Sequence, residues 1–166
     1  MYQSDVIDNV TKEYIDELSP SFEMDFLVGR SLGLFTHLVN LNHDDFMDLD
    51  PSIITTFIKN KIERPGEYLI NTDTHFVMES SSWNPSTDAT QIAYLIDEYR
   101  PAITFINVDL NVNLCVVILY PHLISPHILT SINTCCVYTA TGNNFITAFC
   151  KAIIKFHHNI GEMYDV

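Results

Sequence analysis

A stretch of fifty residues with almost no charge constrains the fold of this chain more than any other feature. Residues 101–150 contain a single charged side chain, Asp109. Val, Ile and aromatic residues dominate two runs within this stretch, 103–108 and 115–120, and that composition is typical of β-strands. Strands without charge are covered on both faces or meet another subunit. The sequence therefore predicts a sheet that is packed between helices or shared between copies of the chain.

Other helices and strands are predicted from apolar spacing, capping residues and prolines. The expected helices span residues 4–18, 21–32, 50–64, 88–99 and 144–156. Further strands are expected at 68–70, 75–78 and 134–140, whereas 36–49 shows no regular pattern. The fold class is α+β, a mostly antiparallel sheet of three or more strands packed between helices (an α–β–α sandwich) with an N-terminal helical extension. This extension is placed at 1–20 and the sandwich at 21–160, with a helical insertion at about 36–66.

Three helices carry apolar residues at helical spacing, which predicts the side that each helix buries. In the helix that follows Asp50 the expected buried residues are Ile54, Phe57, Ile58 and Ile62. In the helix that follows Asp88 they are Ile92, Ala93, Ile96 and Tyr99. The last helix gives the clearest periodic signal, with Phe145, Ala148, Phe149, Ala152, Ile153 and Phe156.

The chain is acidic, and its acidity is concentrated near the beginning. Its 21 Asp and Glu residues against 8 Lys and Arg residues give a net charge of −13. Residues 1–50 hold 11 of the acids and two bases, Lys12 and Arg30. Such a surface repels phosphate backbones and anionic lipid, so neither general nucleic-acid binding nor membrane association is expected. The charge is interpreted as a source of solubility, or as an acidic face for a basic partner or a DNA mimic.

The cysteines and the apolar runs bear on the cellular compartment. The four cysteines show no C-x-x-C spacing and lie in apolar surroundings, so buried free thiols are expected at Cys115, Cys135, Cys136 and Cys150. No basic and apolar leader opens the chain, and the longest apolar run, 114–120, is too short to span a bilayer. A cytoplasmic location is therefore expected, which for a viral protein is the cytoplasm of the host cell.

Three segments resemble a known family of small bacteriophage proteins. The segment 21–33, S-F-E-M-D-F-L-V-G-R-S-L-G, resembles the acidic, Leu-Val-containing opening helix of the phage ABA sandwich domain family. Residues 84–88, N-P-S-T-D, are similar to that family's Ser-Thr-Asp turn before its central helix, and 144–156 to its closing helix. The resemblance covers roughly 21–157, although Trp83 stands alone where the family has a tryptophan-rich sheet. It implies a phage origin, an α–β–α layering and no assigned enzyme activity.

The loop around Trp83 is the candidate ligand site. It combines a stacking face with the hydrogen-bonding residues of a turn that leads into a helix N-terminus, a combination that can hold a nucleotide-like ligand. The candidate ligand-binding residues are Trp83, Ser86, Thr87 and Asp88. The alternative interpretation is a tryptophan packed over the core above a well-capped helix.

Metal and catalytic motifs are weak. The acidic cluster that follows His43 lacks the turn glycine and the closing Glu of an EF-hand, and is interpreted as a solvated loop leading to a helix cap: Asp44, Asp45, Asp48 and Asp50. Two histidine pairs show no third or fourth zinc ligand: His122 with His127, and His157 with His158. The turn at Gly142 could cradle a phosphate, but a glycine there is more simply a turn residue. No nucleophile, Walker or dinucleotide motif is present, so neither a metal nor a cofactor is expected.

These observations favour a non-catalytic bacteriophage accessory protein that binds and neutralises a host component. The component is a nucleotide signal of a host defence or a host protein: the acidity favours a protein, and the capped turn beside Trp83 favours a small ligand. One alternative is an enzyme that acts on a nucleotide or small metabolite through residues scattered in the fold. Another is a structural homo-oligomer, and the charge-free segment leads us to expect homo-oligomers in either case.

Overall fold

The helices and strands of the chain form an α+β fold, which confirms the predicted fold class and is consistent with an α–β sandwich. The computed structural model describes residues 10–42, 48–109, 112–125 and 136–163. Its helices are α1 (Lys12–Glu17), α2 (Phe22–Ser31), α3 (Pro51–Asn60), α4 (Ala93–Tyr99) and α5 (Phe145–His157). Its strands are β1 (His37–Leu41), β2 (Gly66–Asn71), β3 (Phe76–Glu79), β4 (Ala102–Asp109), β5 (Val112–Leu119), β6 (Cys136–Gly142) and β7 (Glu162–Met163).

The described residues divide into two compact units. Unit 1 is Leu32–Trp83, and unit 2 combines Val10–Ser31 with the chain from Asn84 onward. Each unit has its own antiparallel sheet, in the order β1-β2-β3 for unit 1 and β4-β5-β6-β7 for unit 2. The predicted boundary near residue 20 and the predicted insertion at 36–66 stay predictions.

Unit 1 is α3 packed with the three-stranded sheet. Asp50 caps α3 by accepting a hydrogen bond from the Ser52 N–H at 2.8 Å, and Pro51 stands at the first helical position, as the sequence indicates. The core of the unit is an apolar cluster drawn from both sheet and helix: Val39, Leu41, Leu49, Ile53, Phe57, Tyr68 and Ile70. Strand β1 is a correction, because it lies in the stretch 36–49 for which no regular element was predicted.

The buried face of α3 also differs from the prediction. Ile58, expected in the core, leaves 65% of its side chain exposed, whereas Ile53 and Thr56 are buried. Thr56 can enter the core because its hydroxyl donates to the Ser52 carbonyl oxygen at 2.8 Å, which satisfies the polar group inside the helix. The apolar stripe is therefore rotated toward Ile53 and Phe57, four residues apart.

Unit 2 is built around α5, which is buried on all sides. Ten consecutive residues of α5, from Thr147 to Phe156, are buried, and a helix in that situation needs neighbours all round. Strands β5 and β6 pack against it, and so do α1 and α2. Tyr99 of α4 adds edge-on ring contacts with Phe149 and Phe156. The predicted apolar face of the last helix is confirmed, and the burial extends beyond it.

Two lysines are buried within α5 and both are bound to the end of α1. The Lys155 ammonium lies 2.6 Å from Asp16 Oδ1 and donates to the Thr139 carbonyl oxygen at 2.9 Å. The Lys151 ammonium donates to the Asp16 carbonyl oxygen at 2.6 Å. Burial lowers the pKa of Lys151, the nearby charge of Asp16 opposes this, and the charge of Lys155 adds to it. A buried ammonium needs such partners, because desolvation without them is very unfavourable.

The helix predicted at 88–99 is divided in two. Residues Ala89–Gln91 form a 3₁₀ turn capped by Asp88, whose Oδ1 accepts the Thr90 N–H at 3.0 Å, and α4 follows. Because a 3₁₀ turn has three residues rather than 3.6, it changes the phase of the buried face. The residues buried are therefore Ile92, Leu95 and Tyr99, whereas Ala93 and Ile96, which were predicted to be buried, are exposed.

The ends of the chain bear on two further predictions. The cap of α1 is Thr11, whose Oγ1 accepts the Tyr14 N–H at 3.2 Å, and the cap predicted at Ser4 lies outside the described residues. Cys115, Cys136 and Cys150 are buried free thiols, which confirms that prediction for three of the four cysteines, and Cys135 lies outside the described ranges. No helix in those ranges is both long and apolar enough to cross a membrane.

The lysine contacts of α5 yield a stability prediction. Asp16→Ala leaves Lys155 with only the Thr139 carbonyl, and we expect a loss of about 2 kcal/mol in the free energy of unfolding, less than for a fully buried pair because Asp16 is 38% exposed. Replacing both partners, Asp16→Ala with Lys155→Met, should restore at least half of that loss, since Lys155 is then uncharged and Lys151 keeps its hydrogen bond to the backbone carbonyl of residue 16. Urea unfolding followed by circular dichroism measures both.

The exposed ion pair of Lys12 and Glu162, at 2.7 Å, supplies the control. Lys12→Met should lower stability far less than Asp16→Ala does, as is usual for an exposed surface pair. Equal losses for Lys12→Met and Asp16→Ala would contradict the role assigned to the buried lysine.

Candidate functional site

Two cavities lined by described residues of unit 1 lie beside the turn that ends α3. Their volumes are about 380 Å³ and 410 Å³, within the range of roughly 300–1,000 Å³ that is usual for small-ligand sites. Both are lined by Lys61, Ile62 and Glu63, so they adjoin along this segment. We refer to the two together as the 61–65 groove, since residues 61–65 all contribute to its walls.

The floor of the 61–65 groove is apolar and rigidly packed. Phe57 and Leu41 line the first cavity and Tyr68 lines the second, and all three are at most 4% exposed. The rings of Phe57 and Tyr68 meet edge-on with centroids 5.5 Å apart, an arrangement that favours their quadrupoles. These buried residues support the partly exposed apolar side chains that a ligand can reach, of which Ile62 lines both cavities and Val77 lines the second.

The rim of the 61–65 groove carries two available cations. The side chains of Lys61 and Arg64 are exposed, and neither forms a hydrogen bond or an ion pair within the described part of the chain. Lys61 has φ of 55°, a left-handed conformation in which its N–H bonds to the Ile58 carbonyl at 3.1 Å and the chain turns away from α3. This turn places a cation, an apolar side chain and a carboxylate in succession at Lys61, Ile62 and Glu63.

His75 joins the two walls of the groove. Asn60 of α3 donates to the His75 carbonyl oxygen at 2.8 Å, and Lys59 donates to His75 Nε2 at 2.6 Å. Thr56 Oγ1 lies 3.1 Å from His75 Nδ1, and because that hydroxyl donates to Ser52, it accepts the proton of Nδ1. These contacts match the tautomer of His75 that carries its proton on Nδ1, and they fix the β2–β3 turn against α3.

The predicted ligand loop around Trp83 is divided between the two units. Trp83 belongs to unit 1, is 8% exposed, and meets Phe35 edge-on with ring centroids 5.4 Å apart. Ser86, Thr87 and Asp88 belong to unit 2. The indole is thus largely buried by packing within unit 1.

The other three predicted residues form hydrogen bonds within the fold. Ser86 is 3% exposed, and its N–H donates to Asp25 Oδ1 at 2.7 Å. Burial raises the pKa of the Asp25 carboxyl, and its hydrogen bonds with Ser86 offset part of that rise. Thr87 Oγ1 donates to the Asn84 carbonyl at 3.2 Å, and Asp88 is the cap already described. A ligand site at this loop stays a prediction.

The remaining sequence candidates serve structural roles or lie outside the described ranges. His43, Asp44, Asp45 and His127 lie outside them. Hydrogen bonds from Ser52 lower the pKa of the Asp50 carboxyl at its cap. A Cβ on Gly142 would come within 2.7 Å of the Ala148 nitrogen, so the glycine allows β6 to approach α5 closely. Among the described residues no group of three His, Cys, Asp or Glu side chains could hold a metal ion.

Tyr99 and His157 form a part-buried polar pair in unit 2, in which Tyr99 is fully buried and His157 is partly exposed. Tyr99 Oη lies 2.5 Å from His157 Nε2. Burial lowers the pKa of His157 from 6.5 to about 4, with a smaller effect from the charge of His158, and burial also raises the pKa of Tyr99. At neutral pH the imidazole is therefore uncharged, and its Nε2 accepts a hydrogen bond from the Tyr99 hydroxyl. The aromatic rings of Phe149 and Phe156 surround this hydrogen bond.

No protein-family model, curated protein or solved structure matches this chain. The resemblance to the phage ABA sandwich domain family therefore stays a prediction.

Sequence reasoning missed the 61–65 groove, although one signal for it was present. Of the eight Lys and Arg residues in the chain, Lys59, Lys61 and Arg64 fall within six positions. In a chain of net charge −13 such a cluster is conspicuous. The apolar walls could not be found in the same way, because β1, which supplies Leu41, was not predicted.

The hydrogen bonds of His75 predict its tautomer. We expect ¹⁵N NMR at pH 8 to show the proton on Nδ1, because Lys59 donates to Nε2. In Lys59→Met this donor is removed and the Nε2–H form should appear. A predominant Nε2–H form in the unaltered protein would contradict the described geometry.

The low pKa of His157 predicts a loss of stability in acid. Because the folded chain holds this imidazole neutral with a pKa near 4, while the unfolded chain titrates near 6.5, stability falls as the pH drops from 6.5 toward 4. We expect His157 to account for about 1–3 kcal/mol of that loss. Urea unfolding at pH 7.5 and pH 4.5 should show a smaller difference for His157→Gln than for the unaltered chain.

The exposed His122 supplies the matched substitution for this test. His122→Gln should leave the difference between the two pH values unchanged, because this ring is exposed and lies outside the Tyr99 pair. An equal effect of the two substitutions would show that burial of His157 is not the cause.

Proposed function

We propose that this chain is a non-catalytic binding protein that holds a small anionic ligand with an aromatic or apolar ring, of the nucleotide class, in the 61–65 groove. The observation that carries this proposal is the pair of cations without described partners, Lys61 and Arg64, at the rim of an apolar groove. The ring packs on Ile62 and Val77, which are partly exposed and lie against the buried cluster that includes Phe57. The phosphate or carboxylate of the ligand pairs with the cations, and the Glu63 carboxylate accepts hydrogen bonds from its amino or hydroxyl groups.

The acidity of the chain does not prevent anion binding at this groove. At 0.15 M salt the Debye length is about 8 Å, so the acidic residues beyond that distance are largely screened. A guanidinium or ammonium in direct contact with a phosphate is screened far less and forms charge-assisted hydrogen bonds. The cations at the rim therefore determine whether an anion binds in the groove. The surrounding acids repel anions that cannot contact these cations.

The biological role that we propose follows the family resemblance. A bacteriophage accessory protein that binds a nucleotide signal without turning it over would remove that signal from a host defence. The cavity volumes support a small ligand over a host protein as the occupant, because the two concave sites match a nucleotide-sized group.

Charge reversal at the rim tests the proposal. Native mass spectrometry of the chain purified from a bacterial host should show a bound small molecule, and calorimetric titration should show binding of one class in a panel of nucleoside phosphates and cyclic dinucleotides. Lys61→Glu and Arg64→Glu should each weaken that binding at least tenfold, which is about 1.4 kcal/mol. Lys12→Glu makes the same change in net charge at the Glu162 pair in unit 2 and should leave the affinity unchanged.

Three other results would each contradict this proposal. Turnover of the bound molecule during incubation would replace it with the enzyme alternative. Binding that survives both Lys61→Glu and Arg64→Glu would remove the ligand from this groove. A retained host protein without any small molecule would favour the protein target instead.

A further inference from the structure

Strand β4 is an edge strand without the usual protection. It is the outer member of the sheet β4-β5-β6-β7, and no strand in the described ranges pairs with its second edge. An edge of this kind presents unpaired backbone N–H and C=O groups, which natural proteins normally guard with charges or proline. Neither a charged residue nor a proline occurs from Ala102 to Val108.

Apolar side chains project from both faces of β4. Ile103 and Phe105 are 45% and 69% exposed, and they lie opposite Val117 and Cys115 of β5, on the face that α5 covers farther along the sheet. Ile106 follows Phe105 directly, so it lies on the opposite face of the sheet, and it is 47% exposed. A ligand seated on one face would contact only part of this set. A strand added in the plane of the sheet contacts both faces at once.

The charged residues at the two ends of β4 indicate what kind of strand can pair with it. Arg100 stands two residues before the strand and Asp109 is its last residue, so opposite charges flank a neutral segment. Antiparallel pairing of two copies about a two-fold axis brings the Arg100 end of each strand to the Asp109 end of the other. Parallel pairing would instead bring like charges together. The strand is thus self-complementary in charge as well as in apolar character.

We propose that a second copy of this chain pairs with β4 in antiparallel fashion, which joins the sheets of two unit 2 domains into one continuous sheet. The neutral segment is a place where two chains of net charge −13 can meet without bringing carboxylates together. This inference rests on unit 2 alone and is independent of ligand binding in the 61–65 groove. A dimer without nucleotide binding, or nucleotide binding by a monomer, separates the two proposals.

Sedimentation velocity from about 1 to 100 μM protein, the range of ordinary transient dimers, tests the pairing. The full chain should sediment as a dimer at the upper end, and Phe105→Lys should raise the dissociation constant at least tenfold. Ile58→Lys is the matched control, because Ile58 is 65% exposed but belongs to unit 1, and it should leave the dissociation constant unchanged.

Hydrogen exchange of the unaltered chain provides a measurement that needs no variant. Those amides of 103–106 that point away from β5 should exchange more slowly at about 100 μM than at about 1 μM, because only they gain a hydrogen-bond partner in the dimer. A monomer at 100 μM, a dimer that survives Phe105→Lys, or exchange at 103–106 that does not depend on concentration would each overturn the proposal. A monomer that binds a strand of a different protein at β4 would overturn the assignment to a second copy.

Discussion

The contact between the two lysines of α5 and the end of α1 is the interaction on which the arrangement of unit 2 depends. Lys151 and Lys155 are four residues apart, so they lie on one side of the helix and reach the same residue, Asp16. The carbonyl oxygens that end a helix lack intrahelical partners and carry partial negative charge, which suits an ammonium group. Thr139 adds a third acceptor from β6, so Lys155 links α5 to both its helical and its sheet neighbours.

The energetics assign different roles to the apolar and the charged residues of α5. Full burial of Phe149, Ile153 or Phe156 contributes roughly 1.5–3 kcal/mol each. Desolvation of an ammonium group offsets most of what its ion pair gains, so the lysines add little net stability. They instead determine which side of α5 meets α1, because any other rotation leaves a charge buried without a partner. With α5 fixed against β5 and β6, β4 remains beyond its cover, and that is why its apolar side chains are exposed.

The parts of the fold that the sequence predicted are those governed by local spacing. The apolar face of α5 repeats at 3.6 residues, and β4 and β5 are recognisable as uncharged runs of β-formers. The elements that were missed depend on partners distant in the chain. Strand β1 exists because β2, about thirty residues further along the chain, pairs with it. The loop at Ser86 has the same sequence pattern whether it binds a ligand or caps a helix. Its contact with Asp25, 61 residues away, is seen only in the structure.

The distribution of the bases matters more to this protein than its net charge. Lys151 and Lys155 are buried, and Lys12 pairs with Glu162, so these three add nothing to an exposed positive surface that a partner could use. Three of the remaining five bases fall at 59–64, beside the groove, whereas 102–106 carries no charge at all. The net charge of −13 therefore describes the surface on average, whereas the 61–65 groove and the segment 102–106 of β4 each differ from that average. Since ligands and partners respond within about one Debye length, it is these local exceptions that set what the chain can bind.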